Sequence, residues 1–311
     1  MNPKVSIIIP CFRQGQYLAS AVNSALAQSY TNLEVVVIND GSDDDTEAVA
    51  SQFKNKIVYV GKPNGGTSSA RNAGIKAASG KYVLFLDADD LLHLDAVSWL
   101  VDAVRDGDDA LSVMGWTDFT KTPGDRPHAE KLPSPSTPLG QQLLTGDIPP
   151  VHAYLVARQA VHTNGGFDET LPSCEDWDLW LRLVVFGGLK TTAVGRVGAY
   201  YRRYPGSKST NFIQMDMAGY TILMRCLEKL QGPGRPDWLS GQAYRHTMRV
   251  LRKDVAIVAT DTADELRQQR RYRESVRWLG RSFRDGQMSL RGVSGALKLL
   301  PHWALKRKQE K

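Results

Sequence analysis

The sequence predicts an α/β protein, in which a mostly parallel sheet is flanked by helices and followed by a helical C-terminal region. Short β-branched runs alternate with helical patterns through about the first hundred residues, as in chains that build parallel sheets through right-handed crossovers. The runs are apolar throughout, which is typical of strands buried on both faces. After Ser207 the pattern is helical almost to the end.

The first four strands are expected at 4–9, 33–38, 56–60 and 81–86. A helix is expected after each of them, at 17–28, 44–53, 67–78 and 94–105. An apolar stripe with helical spacing predicts the first helix, and the acids that open the second suit a helix N-terminus.

The second half of the α/β region is less regular. A strand is expected near 110–116, a Pro- and Ser-rich loop at 120–138, and further strands around 153–158 and 190–203. A helix at 175–186 separates the last two strands. We place a boundary near Asn211, which gives an α/β domain at 1–210 and a helical region at 211–311.

The composition bounds the class of protein. The chain has 311 residues, of which 42% are hydrophobic, so it can bury a sizeable core. Its three cysteines (Cys11, Cys174 and Cys226) are odd in number and lack C-x-x-C spacing, which disfavours a disulfide framework or a zinc site and fits a reducing compartment. We see no leader before the first strand and no apolar stretch of about 20 residues. The expected location is cytoplasmic.

Positive charge is concentrated at the C-terminus. Residues 266–311 contain 13 Lys and Arg against 3 Asp and Glu, a net +10, whereas the rest of the chain has 26 against 30, a net −4. This basic tail is interleaved with Trp and Leu. It fits either a peripheral contact with an anionic membrane surface on the cytoplasmic face or a helical subdomain packed on the core. Nucleic-acid binding is disfavoured, because no recognition motif accompanies the charge.

Polar or acidic segments follow three of the four early strands. In an open parallel sheet, ligands bind beyond the carboxyl ends of the strands. The segments at these ends are Pro10–Phe12, 39–42 (NDGS), 61–67 (GKPNGGT) and Asp87–Asp90. Each alone reads as a turn or a helix cap, including Asp90 as a partial cap of the helix that follows. Together they predict one site, in which clustered carboxylates bind Mg²⁺ or Mn²⁺ and the cation binds a diphosphate.

Three stretches in this order, VSIIIPCFRQGQYLASAVNSALAQSYTNLEVVVINDGSDDDT, PNGGTSSARNAG and GKYVLFLDADD, resemble family 2 glycosyltransferases with the Rossmann-like GT-A fold. The resemblance covers about the first 210 residues. It implies transfer of a sugar from a nucleotide-diphosphate donor, a UDP-sugar by resemblance alone, usually with inversion. The implied acceptor is a hydroxyl of a glycan or lipid-linked molecule, in cell-surface polysaccharide or glycoconjugate synthesis.

The resemblance also assigns the donor residues. Asp40 matches the acid that binds a uracil-type base, Pro10 and Phe12 match the loop that frames the base, and Arg71 matches a basic residue near the nucleotide.

The D-x-D motif corresponds to Asp87, Ala88 and Asp89. The first acid is expected near the ribose, and Asp89 is expected on the Mn²⁺ or Mg²⁺ ion that bridges the diphosphate.

The segment 165–183 (GGFDETLPSCEDWDLWLRL) resembles the acceptor side of the same family. The resemblance makes Asp176 the general base that deprotonates the acceptor hydroxyl, and Glu175 and Trp177 residues that shape the acceptor pocket. The alternative is that the two acids simply favour a helix N-terminus.

One segment departs from the family pattern. Family members often carry a His after the last strand that touches the metal or the diphosphate, and here Tyr204 lies in YYRRYPGSKST where that His would fall. Metal dependence is correspondingly open. Arg202, Arg203 and Lys208 are either diphosphate ligands in its place or solvated charges.

Two other functions compete with glycosyl transfer. A D-x-D phosphohydrolase with Asp87 as nucleophile leaves NDGS and the Glu-Asp helix unexplained. A non-catalytic nucleotide-sugar-binding module leaves unexplained why all four acids, Asp40, Asp87, Asp89 and Asp176, are present.

Overall fold

The structure is a computed structural model that describes residues 2–104, 110–125, 130–134, 137–146 and 148–285. The chain divides into two compact units. The first comprises Met1–Leu171 and Glu175–Pro205, and the second comprises Pro172–Cys174 and the chain from Gly206 onward. The division therefore lies a few residues before the predicted boundary at Asn211.

The first unit contains an eight-stranded sheet, in the order β3-β2-β1-β4-β7-β6-β8-β5. The strands are β1 (Val5–Cys11), β2 (Leu33–Asn39), β3 (Val58–Gly61), β4 (Tyr82–Phe85), β5 (Leu91–Leu92), β6 (Ala110–Phe119), β7 (Tyr154–Ala157) and β8 (Lys190–Arg202). The first four in space are parallel, as predicted. Beyond β4 the sheet is mixed, because β7 runs antiparallel to both of its neighbours and β5 runs antiparallel to β8.

Seven α-helices are described in the first unit and three in the second. They are α1 (Gly15–Leu26), α2 (Thr46–Ser51), α3 (Gly66–Ala77), α4 (Ala96–Ala103), α5 (Leu139–Leu144), α6 (Arg158–Thr163), α7 (Glu175–Trp180), α8 (Phe212–Gln231), α9 (Gly241–Gln268) and α10 (Tyr272–Asp285). The sequence did not predict α5 or α6, because six residues are too few to display an apolar period. The helix expected at 175–186 is α-helical only to Trp180 and continues as a π-helical segment, Leu181–Phe186.

The middle of the sheet is the core of the first unit. All residues of β1 and β4 are buried, whereas β3 is largely exposed at the sheet edge, so the expectation of burial on both faces is wrong for β3. Helix α3 lies close to the sheet, since a Cβ atom on Gly74 would overlap the side chain of Ile8. This close approach brings Arg71, one turn earlier in α3, to the carboxyl ends of the strands.

The strand register brings the predicted site segments to one edge. Cys11 lies beside Asn39, which lies beside Gly61 on β3. On the other side of β1, Ile8 is paired with Phe85. The segments that follow these four strands therefore leave the sheet at the same edge, as the sequence predicted.

The second unit is helical, and the start of the predicted basic tail packs within it. Trp278 of α10 is buried and meets the ring of Tyr220 edge-on, with centroids 5.0 Å apart. The Ser275 hydroxyl donates to the Ala263 carbonyl at 2.6 Å. Residues 272–285 therefore pack on other helices of the second unit, whereas 286–311 lies outside the described residues. None of the helices in the described part of the chain combines the length and apolar character needed to cross a membrane.

Candidate active site

Arg71 joins the two predicted halves of the site. Its guanidinium is buried and donates to Asp87 at 2.6 Å and to Glu175 at 2.9 Å, and it lies 5.2 Å from the centroid of the Phe167 ring. The charges of Asp87, Glu175 and Asp176 outweigh the cost of burial and raise the pKa of Arg71 above its ordinary value. The Arg71 guanidinium therefore connects the turn after β4 that carries the D-x-D motif (Asp87–Asp90, the D-x-D turn) with the Glu-Asp pair at the start of α7.

Asp176 lies at the N-terminus of α7, beside this ion-pair network. Burial and the neighbouring charge of Glu175 raise the pKa of Asp176 to about 6, while the positive charge of Arg71 acts in the opposite direction. One carboxylate oxygen accepts from the backbone N–H of Trp177 at 2.8 Å. A carboxylate with this pKa is ionised at neutral pH and is a stronger base than an ordinary Asp, which suits proton abstraction.

The other two residues predicted for the acceptor side lie inside the protein. Glu175 is 4% exposed and is paired with Arg71. Trp177 is 7% exposed, and its indole N–H donates to the Leu143 carbonyl at 2.8 Å. Both side chains anchor α7, and neither is exposed at a surface.

Asp40 organises the loop that follows β3. Its buried carboxylate is ion-paired with Lys62 at 2.6 Å and accepts from the backbone N–H groups of Gly65 and Gly66 at 3.0 and 2.8 Å. The amide of Asn64 donates to the same carboxylate at 3.2 Å. Asp40 thus fixes the loop that leads into α3, a structural role that the sequence pattern did not reveal.

The loop after β1 presents an aromatic ring at the same sheet edge. Pro10 is buried within β1, whereas Phe12 is 41% exposed and lies under the guanidinium of Arg13. Arg13 has a positive φ of 52° and forms a two-pronged ion pair with Asp43, which holds this turn against the segment after β2.

The D-x-D turn contains one half-buried, one mostly buried and one fully buried carboxyl group. Asp87 retains 32% side-chain exposure, and Ala88 is buried. The pKa of Asp89 is raised by burial and by the charge of Asp87. Asp90 is not a helix cap, since α4 begins after Asp95. It is buried, accepts from the backbone N–H of Arg202 at 2.7 Å, and lies 3.2 Å from Nδ1 of His152.

Two contributors were not recognised from the sequence. Asn72, next to Arg71, accepts from the Phe167 N–H at 2.8 Å and donates to the Phe167 carbonyl at 2.9 Å. It thereby ties α3 to the loop that precedes α7. His152 is fully buried, and its pKa falls to about 4, so it is neutral behind the D-x-D turn. Nothing in the local sequence pattern around Asn72 or His152 indicates a partner that is distant along the chain.

The carboxyl groups of the D-x-D turn fit a hard divalent cation. Oxygen donors suit Mg²⁺ and Mn²⁺, and a cation would offset the burial and the negative charge of Asp87, which together raise the pKa of Asp89. Among the described residues no group of three or more His, Cys, Asp or Glu side chains could hold a metal ion. Such cations commonly use one or two carboxylates and complete their coordination with phosphate oxygens and water.

Comparison with known proteins agrees with this geometry. An uncharacterised glycosyltransferase of Rickettsia prowazekii is 35% identical over 191 residues, which are 58% of this chain and 58% of the relative. The family model described as glycosyl transferase family 2 matches residues 6–162.

Solved structures of two proteins share the fold. The 1–349 portion of S. aureus TarS has a TM-score of 0.64 at 16% identity, covering 99% of this chain and 92% of that one. The same portion was solved in complex with UDP-GlcNAc, with a TM-score of 0.60 at 16% identity over the same shares of both chains. The mannosyltransferase PcManGT of Pyrobaculum calidifontis, in complex with GDP-Man and Mn²⁺, has a TM-score of 0.58 at 16% identity, covering 96% of this chain and 87% of that one. The family model matches half of the sequence, and the structure has the GT-A fold. The chain therefore belongs to glycosyl transferase family 2.

Proposed function

We propose that this protein is an inverting glycosyltransferase, which moves a sugar from a nucleotide-diphosphate donor to a hydroxyl group of a glycan or lipid-linked acceptor. The observation that carries the proposal is the double ion pair of Arg71 with Asp87 and Glu175. Through one buried guanidinium it joins Asp87 of the D-x-D turn, where a divalent cation would bind the donor phosphates, to Glu175, the neighbour of Asp176.

In this mechanism Asp176 accepts the proton of the acceptor hydroxyl group. The acceptor oxygen bonds to the anomeric carbon on the face opposite the diphosphate, and the carbon–oxygen bond to the nucleoside diphosphate breaks. Arg71 holds Asp87 and Glu175 in place throughout. A cation bound at Asp89 would neutralise charge on the departing diphosphate.

The proposed donor is a UDP-sugar. The UDP-GlcNAc complex of TarS supports a uridine nucleotide, while the GDP-Man complex of the mannosyltransferase keeps a guanosine nucleotide as the competing choice. Asp40 and its loop, Pro10, Phe12 and Arg71 are the proposed nucleotide-binding residues. Slow hydrolysis of a panel of nucleotide sugars would select among the donors without an acceptor.

Replacing Asp89 with Ala tests the donor and metal site. UDP with Mn²⁺ should raise the melting temperature of the wild type, because a ligand selective for the native state stabilises it. The variant should lose the part of this shift that depends on Mn²⁺. An exposed control, Asp102→Asn on α4, should keep the full shift. If UDP and Mn²⁺ fail to stabilise the wild type, the proposed function is wrong.

The C-terminal residues supply a separate proposal, that the protein binds the cytoplasmic face of a membrane near a lipid-linked acceptor. Residues 286–311 contain six Lys and Arg and one Glu, a net +5. A chain shortened to end at Asp285 keeps α10, whose Trp278 is buried. It should sediment less with anionic vesicles than the full chain does. Equal sedimentation would reject the membrane proposal and leave the proposed enzymatic activity intact.

The two competing functions are less well supported. Family membership argues against a phosphohydrolase, and Asp87 has one carboxylate oxygen held by Arg71 instead of free for nucleophilic attack. A non-catalytic binding module would bind nucleotide sugars without turnover, and Asp176 with its raised pKa favours a catalyst over such a module.

A further inference from the structure

The segment at the end of β8 makes three hydrogen bonds to the D-x-D turn. The backbone N–H of Arg202 donates to the carboxylate of Asp90 at 2.7 Å, and the Arg202 guanidinium donates to the Asp89 carbonyl at 2.6 Å. The hydroxyl of Tyr204 donates to Oδ2 of Asp89 at 2.8 Å. Arg202 therefore holds the backbone of Asp89, and Tyr204, two residues later in the same segment, holds its side chain.

Tyr204 is itself held in position. The amide of Gln14 lies at the start of α1 and donates to the Tyr204 hydroxyl at 3.3 Å. The ring of Tyr17 packs against the Tyr204 ring with centroids 5.4 Å apart, and the Arg202 guanidinium lies 4.8 Å from the Tyr17 centroid. The hydroxyl is thus part of a chain of donors that runs from Gln14 through Tyr204 to Asp89.

We propose that Tyr204 is a positioning residue for the cation-binding carboxylate of Asp89. The Tyr204 hydroxyl fixes the rotation of the Asp89 side chain, so that a divalent cation binds without first having to order it. The inference rests on the proposed function, since it assumes that Asp89 binds the cation. Tyr204 does not itself bind the cation or the sugar. Hydrogen bonds that orient a metal-binding residue commonly change metal affinity by about 10- to 100-fold when they are removed.

Tyr204→Phe removes the hydroxyl and keeps the ring that packs on Tyr17. We expect Mn²⁺ to bind this variant about 10-fold more weakly in the presence of UDP, as measured from the electron paramagnetic resonance signal of free Mn²⁺. Binding of UDP alone, measured by calorimetry without metal, should be unchanged. Tyr200→Phe makes the same chemical change on β8 at a ring that lies 6.4 Å from the ring of His93, and this variant should bind Mn²⁺ as the wild type does.

A second variant guards against misfolding of the first. Gln14→Met removes the donor to the Tyr204 hydroxyl and should weaken Mn²⁺ binding to a smaller extent. Donor hydrolysis adds a readout that a merely structural role would not produce, because excess Mn²⁺ should restore the rate of Tyr204→Phe.

The outcomes separate the inference from the proposed function. If the wild type binds no Mn²⁺ with UDP, the proposed function fails and the inference fails with it. If the wild type binds Mn²⁺ and a folded Tyr204→Phe binds it equally well, the positioning role is wrong while the proposed function stands. A rate loss that saturating Mn²⁺ does not restore likewise rejects the positioning role.

Discussion

Replacing Asp176 with Asn is expected to lower the rate of sugar transfer by about 10²- to 10⁴-fold, the usual contribution of a general base. The amide keeps the shape of the carboxylate but cannot take the proton of the acceptor hydroxyl group. Nucleotide binding should be unchanged, because the D-x-D turn and Arg71 remain in place. Transfer measured with saturating donor and acceptor, together with calorimetry of UDP binding, checks both parts.

The same residue predicts the pH dependence of the wild type. The pKa of Asp176 is raised to about 6, and only the ionised carboxylate is a base. Below about pH 6, kcat/KM should therefore fall about tenfold for each pH unit, and above it the rate should level off. The residual activity of Asp176→Asn should lack this acidic limb. Asp102→Asn, an exposed control on α4, should retain the wild-type rate and profile. Transfer at the wild-type rate by Asp176→Asn would exclude the general-base role.

Replacing Arg71 with Met is expected to lower the free energy of unfolding by about 3–5 kcal/mol, because Glu175 would be left as a buried charge without its cation. The melting temperature should fall by about 10 °C on this basis, measured by calorimetry. Loss of the positive charge should also raise the pKa of Asp176 further, since Arg71 now lowers it. The acidic limb of the rate profile should then move to higher pH.

A double substitution separates the ion pair from simple packing. The double variant Arg71→Met/Glu175→Gln removes both charges of the buried ion pair. Its free energy of unfolding should therefore be higher than that of Arg71→Met alone. The control is Arg13→Met, which removes an exposed ion pair with Asp43 and should change the melting temperature little. If Arg71→Met is as stable as the wild type, or if adding Glu175→Gln to Arg71→Met restores no stability, the buried network does not hold the site together.

The sequence predicted the parallel half of the sheet well, because each strand there carries its own signal. The apolar runs that contain Ile7, Val36 and Leu84 are long enough to be recognised, and the helices between them fix the direction of the strands. Strands β6, β7 and β8 were also expected, but β5 and the antiparallel pairings of β5 and β7 were not. Each pairing of β5 and β7 joins only two or three residues of each strand across long stretches of chain, and such pairings depend on packing rather than on a local pattern.

The site was predicted as a set of positions, whereas its connections were visible only in the structure. Asp87, Asp89 and Asp176 were identified from their motifs. Three connections join side chains that are 16 to 115 residues apart along the chain: the Arg71 ion pair with Asp87, the Lys62 ion pair with Asp40, and the Tyr204 hydrogen bond to Asp89. A residue type does not reveal its partner at such separations. Trp177 shows the same limit, because its indole N–H donates to the carbonyl of Leu143, which is 34 residues earlier in the chain.

A crystal structure of the full chain with UDP and Mn²⁺, with the metal located by anomalous scattering, tests the joined site most directly. We predict a manganese peak at the carboxylate of Asp89, with the diphosphate beside it. Asp176 should then face the sugar side of the phosphates, with Arg71 still between Asp87 and Glu175. A nucleotide bound away from the edge formed by Asp40 and Asp89, or an Asp176 turned away from the phosphates, would contradict the account.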